Sequence, residues 1–169
     1  MQLFNDSAKN VRLLGASCTK TGNADAGDLR GIKLKDKKLK PLTKYEDELL
    51  RQINEYRKSK GLGVVQKDKW IHKNATQHTE YQIKKNKISH DKFQERAKIV
   101  NKKMMVENVL FSELGEQPTA QSIATKFLNM WINSPGHNKN LLKADATIGA
   151  VSIMRNNKIA YYSTMLFCK

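Results

Sequence analysis

The stretch from Trp131 to Leu141 constrains the fold more than any other part of this chain. It reads as the end of one helix, a sharp stop and the start of a second short helix. Ile123, Phe127, Met130 and Trp131 recur at helical spacing, so the incoming helix has one apolar face. Ser134 has the chemistry of an N-cap whose hydroxyl takes an orphan amide. Pro135 fits the first helical position, where its missing N–H costs nothing. His137 then falls in the first turn of the new helix, where the positive end of the dipole disfavours imidazolium. A neutral ring with a free lone pair suits metal binding or accepting a hydrogen bond. Two other polar stretches, Ser89-His90-Asp91 and Glu107-Asn108, are candidates to meet it.

The rest of the chain divides into an arm and one domain. Residues 1–42 show little apolar periodicity. Their apolar patch, Val11 to Ser17, runs into Cys18, and a polar, Gly-containing tract follows. Small residues before a Cys, with Leu just upstream, resemble a relaxed lipoprotein-processing box. Cys18 is therefore read as a lipidation site at the head of a disordered tether. A free thiol in the arm and a disulfide to Cys168 are the alternatives.

Residues 43–169 carry the periodic elements. Thr43 and Glu46 form a capping-box pattern ahead of the stripe Tyr45, Leu49, Ile53 and Tyr56, and Gly61 stops that helix. Asn54 and Arg57 lie beside the stripe and are expected to make structural hydrogen bonds. A second helix is predicted from about Asp68 to Lys87, with Trp70, Ile71, Ala75, His78 and Tyr81 inward. His78 reads there as a satisfied core histidine. A short helical turn after His90 packs Phe93 and offers Arg96 to a carboxylate. Glu107 to Phe111 reads as a strand, and Thr119 caps a third long helix. Thr147–Met154 and Ile159–Phe167 then alternate with period two around an Asn-rich turn, which predicts a hairpin. The expected class is α+β, an α-β-α sandwich around a central antiparallel sheet.

The formal charge of +15, from 31 Lys and Arg against 16 Asp and Glu, favours anionic surroundings. The charge is mostly Lys spread along helices and linkers. No nucleic-acid motif accompanies it, so specific nucleic-acid readout is not expected, and a purely electrostatic nucleic-acid binder ranks last among the readings. No apolar run approaches the roughly 18 residues a membrane span needs.

The order Ser89-His90, Glu107-Asn108, then Trp131-Ile132-Asn133-Ser134-Pro135-Gly136-His137, resembles the bacterial branch of the CAP superfamily, or SCP-like domains. Ile53-Asn54 and Arg57 resemble the signature of that family's opening helix. Ile71, Ala75, His78 and Tyr81 are similar to its second helix, and Ile148–Val151 and Tyr161–Phe167 to its closing strands. The resemblance runs from about Tyr45 to Phe167 and implies the same α-β-α architecture. It also implies that His90, Glu107 and His137 converge in a central cleft. Two imidazoles and a carboxylate can serve as three ligands to a divalent metal such as zinc. Ser134 stands where other branches have a second Glu, and Val106 where Gly is common. Any metal there is therefore expected to be weakly held.

The function implied is an extracytoplasmic, non-catalytic binding module, secreted or anchored at the cell surface as a lipoprotein. Lipid, sterol-like or protein partners fall within the family's range, and the chain is expected to be monomeric. The alternative is a metal-dependent hydrolase using His90, Glu107 and His137. No Gly-x-Ser-x-Gly elbow is present, and a capping Ser134 has its oxygen committed. Cys168, expected past the last strand, is a poor nucleophile.

Overall fold

Two side-chain caps and a proline mark where three of the helices start. The computed structural model describes residues 11–17, 39–102, 105–114, 118–156 and 159–169. Helix α1 spans Thr43–Ser59, α2 Lys69–Lys85, α3 Phe93–Val100, α4 Ala120–Ile132 and α5 Pro135–Leu141. Asp68 caps α2 by accepting from the Ile71 amide at 2.8 Å, and Thr119 caps α4 through Ser122 at 3.1 Å. Pro135 opens α5. The capping box expected at Thr43 does not form: α1 has Leu42 at its N-cap position with no side-chain cap. Glu46 reaches away from its own helix instead, accepting from the Ile153 amide at 2.9 Å and facing His72 Nε2 at 2.8 Å. A buried carboxylate next to an unpaired strand amide gains more from that amide than from its own helix end.

The strands are β1 Val11–Ser17, β2 Gln66–Lys67, β3 Met105–Glu113, β4 Ile148–Arg155 and β5 Ala160–Cys168, in the order β1-β3-β5-β4-β2. All pairings are antiparallel except β2 with β4, so the sheet is mixed at one edge. Beyond β2, the chain entering α1 finishes that edge: Leu42 donates to the Ile153 carbonyl at 2.9 Å, and Glu46 takes the Ile153 amide. The opposite edge is β1, a segment the sequence places in the arm. It runs antiparallel to β3 from Val11 opposite Ser112 to Ser17 opposite Val106. The arm's remaining residues, including Cys18, lie outside those described.

Helices cover both faces of the sheet, which is why β3 and β5 are buried along almost their whole length. On one face Leu49, Ile53, Phe127 and Trp131 pack against Val106, Leu110, Val151 and Phe167. On the other, Ile71, Ala75 and Phe93 meet Met105, Ala150 and Leu166, while Ile83 and Ile88 meet Val109 and Phe111. The alternation of neighbouring β3 residues between the two sides is the period-two rule of a strand. Each fully buried Leu- or Phe-sized side chain contributes about 1.5–3 kcal/mol. The layering is the expected α-β-α sandwich.

Two local expectations are corrected. Trp70, placed inward by its spacing, is 44% exposed under the Lys73 ammonium, because it sits in the first turn of α2 before that helix meets the sheet. Cys168 is the last residue of β5 and fully buried, with its thiol free.

Candidate functional site

The loop between α2 and α3 carries His90, and α2 holds that loop in place. His78 Nε2 donates to the Ser89 carbonyl at 2.7 Å, and Gln82 Oε1 accepts from the Ser89 amide at 3.4 Å. Tyr81 donates to Asp91 Oδ2 at 3.1 Å, and Arg96 of α3 donates to the Asp91 carbonyl. Asn86, in the left-handed region at φ 50°, ends α2 and turns the chain into the loop. Gripped on both sides, the loop aims His90 at the sheet.

There His90 Nδ1 lies 2.8 Å from Glu107 Oε1 on β3. Nη2 of Arg96 bridges both oxygens of the same carboxylate, at 2.7 and 2.6 Å. His78 Nε2 stands 3.7 Å from Oε1. Glu107 is fully buried. Burial alone would raise its pKa. The hydrogen bond from His90 and the electrostatic pull of its basic neighbours His78, Arg96 and His90 outweigh it, so the carboxyl stays below the usual range and ionised. Burial pushes His78 the other way, below its ordinary value, and Arg96 and His90 add to that against the pull of Glu107. A carboxylate only accepts, so His90 Nδ1 carries the proton. The other ring nitrogen, Nε2, is buried with no hydrogen-bond partner.

On the other face of the strand, α5 is fastened to β3 by a run of amides. Asn108 Nδ2 donates to the His137 carbonyl at 3.0 Å. Asn140 Nδ2 donates to Asn108 Oδ1 at 2.9 Å and to the Glu107 carbonyl at 3.2 Å. Tyr56 of α1 donates to Asn138 Oδ1 at 2.9 Å. His137 is buried, with Nδ1 2.6 Å from Ser134 Oγ. Ser134 holds the N-cap position in extended backbone but makes no side-chain cap. Its hydroxyl serves the imidazole three residues on, rather than the orphan amides expected of it.

The residues present do not fit a divalent metal held by His90, Glu107 and His137. A guanidinium occupies both oxygens of Glu107. Among the described residues no three His, Cys, Asp or Glu side chains form a group that could hold a metal ion. Of the three residues, His90 and Glu107 touch directly, and His137 reaches the same strand through its backbone carbonyl.

Four members of this arrangement carry little signal in the sequence. The sequence makes His78 a core histidine, which its bond to Ser89 supports, yet it also faces Glu107. The sequence offers Arg96 to a carboxylate without naming it, and that carboxylate is Glu107. Asn108 enters the sequence reading only as part of the Glu107-Asn108 pair and Asn140 has no role there, although an Asn beside a buried strand acid and another in a buried helix face are polar groups that must find partners. Arg57 behaves as expected of a structural residue. Fully buried, it donates to the carbonyls of Gly63, Leu141, Lys143 and Ala146 and lies over the Phe167 ring. Cys168 is excluded as a nucleophile by its burial, which pushes the thiol up to about 12.

Solved structures share this fold. An outer surface protein of Borrelia burgdorferi aligns with TM-score 0.61 and 19% identity, over 73% of this chain and 90% of its own. A cysteine-rich secretory protein of Staphylococcus aureus gives 0.58 and 20%, and an extracellular SCP-domain protein of Bacillus anthracis 0.59 and 22%. Each covers 75% of this chain, and the chain spans only 39% and 41% of those two proteins. No curated protein sequence matches. A model of the CAP family, described as the cysteine-rich secretory protein family, matches residues 50–168, which takes in the Ser-His loop, the Glu-Asn strand and the Ser-Pro-Gly-His turn. The chain belongs to the CAP family.

Proposed function

We propose that this chain is an extracytoplasmic binding module that performs no chemistry at the Glu107 cluster. The observation that carries this reading is the Arg96 guanidinium bridging both oxygens of Glu107. A general base needs a lone pair facing substrate or water, and a metal ligand needs one facing the ion. Both oxygens here face a permanent cation, so Glu107 acts as the keystone that orients His90 and ties α3 to β3. The group left for a ligand is His90 Nε2, whose lone pair is fixed by the proton on Nδ1.

Extracytoplasmic placement is supported by the solved neighbours, described as outer surface, secretory and extracellular proteins. Among the described residues no helix is long and apolar enough to cross a membrane. Lipidation at Cys18 would anchor the module at the surface, with lipid or protein as partner. The experiment is an ester and peptide substrate panel, run on the full chain with and without added Zn²⁺ or Mn²⁺. The expected result is no turnover above the protein-free blank. Metal-dependent turnover that Glu107→Gln abolishes, with the circular dichroism spectrum intact, would establish the hydrolase instead.

A further inference from the structure

The outer edge of β3 carries a strand that the family region does not include. The family match begins at residue 50, whereas β1 is Val11–Ser17. On its inner side β3 pairs with β5 along its length. Without β1, its outer side would present a row of unpaired backbone N–H and C=O groups, a ready template for an added strand. Residues 18–38 separate β1 from Leu39, where the described domain begins. In physical terms β1 is a tethered peptide, and nothing in its backbone pairing requires that the strand belong to the same chain.

The register gives this edge a sequence preference. Leu13 and Leu14 stand opposite Leu110 and Val109, while Gly15 and Ala16 stand opposite Asn108 and Glu107. Two bulky apolar residues thus stand in register with the apolar half of β3. Two small ones stand in register with Asn108 and Glu107, whose side chains are committed to α5 and to the His90–Arg96 cluster. α5 also lies against β1, so the strand sits beside the site.

We infer that the outer edge of β3 is a strand-accepting site for an extended peptide of a protein partner, antiparallel and patterned bulky-bulky-small-small, and that Val11–Ser17 occupies it in cis. Main-chain bonds supply the affinity, and the two small positions supply the selectivity. The inference rests on the binding-module reading and names its partner class. Cleavage ahead of Cys18, which the lipidation expectation entails, would cut the occupant away and open the edge.

A tethered strand competes at an effective concentration on the order of 1 mM. A free peptide with Kd on the order of 10 µM should therefore bind the occupied protein roughly 100-fold more weakly than one whose β1 cannot pair. The test uses a labelled synthetic peptide of residues 11–17 and the full chain, as wild type and as Leu13→Pro/Leu14→Pro. Successive strand amides point to opposite sides, so one of the two prolines must remove a donor facing β3. The variant should bind roughly 100-fold more tightly than wild type, and a peptide carrying Gly15→Trp and Ala16→Trp should lose about 10-fold or more. Equal binding by the two proteins, or equal binding of the two peptides, overturns the inference. Hydrogen exchange on wild type is an independent check that needs no variant. Amides of Val106–Ser112 that face β1 should exchange about 100-fold faster than those facing β5, through local release of the strand. Exchange of both sets at one rate would also overturn it. Failure of these tests would leave the absence of turnover, and so the binding-module reading, untouched.

Discussion

A carboxylate buried as completely as Glu107 is stable only because a guanidinium and an imidazole N–H meet it, and the cost of removing the charge is the first prediction. Arg96→Gln keeps a donor but removes the charge, so an ionised Glu107 would be left underpaired in the interior. A loss of about 3–5 kcal/mol is expected in urea unfolding at pH 7. Adding Glu107→Gln to that variant should recover part of it, because no buried charge is then left over; a double variant as unstable as the sum would refute the pairing. The pH dependence has the same origin. Both His78 and Glu107 are held below their ordinary values, so the folded state binds fewer protons than the unfolded one. Stability is fully present above about pH 6.5. It falls first as unfolded His78 protonates, and again below about pH 4.3 as unfolded Glu107 does. Thermal melts from pH 8 to 4 should show this decline, and His78→Gln, which still donates to Ser89, should remove the upper stage. Ser134→Ala should cost about 0.5–1.5 kcal/mol, one hydrogen bond to His137, because no cap is lost.

Among the elements, Gly149 marks a close approach, where β4 passes β5 beside β2. A Cβ there would lie 2.5 Å from Phe167 Cδ1 and 2.6 Å from the Leu166 carbonyl oxygen. Gly149→Ala should destabilise by at least about 1–3 kcal/mol, since backbone cannot yield as a side-chain tip can. Thermal denaturation checks it, and an unchanged melting temperature would contradict the packing. The elements legible in the sequence are those with strong local signals: the stripe of α1, the Thr119 cap, Pro135 at the head of α5 and the β4–β5 hairpin. The misreadings share one cause. Glu46 satisfies a strand amide far along the chain instead of its own helix end, and Ser134 serves a ring rather than an amide. Cys168 ends a strand whose partner begins at Met105. Strand β1 pairs across the whole domain. No local pattern reports a partner that tertiary contact supplies.

For the whole molecule, family resemblance brought His90, Glu107 and His137 to one strand neighbourhood, and the chemistry followed from neighbours the motifs do not contain. His90, Glu107 and the Asn residues meet because α2, α3, β3 and α5 are each fixed by the sandwich. Arg96 then decides what the meeting can do. The account therefore stands on the state of Glu107. Calorimetric titration of Zn²⁺ into the full chain at neutral pH, with Glu107→Gln and His137→Ala alongside, tests it most directly. The prediction is no site tighter than about 1 µM, and heats that neither substitution changes, because a committed carboxylate and a single free imidazole nitrogen make a poor zinc site. A nanomolar site that either substitution abolishes would contradict it.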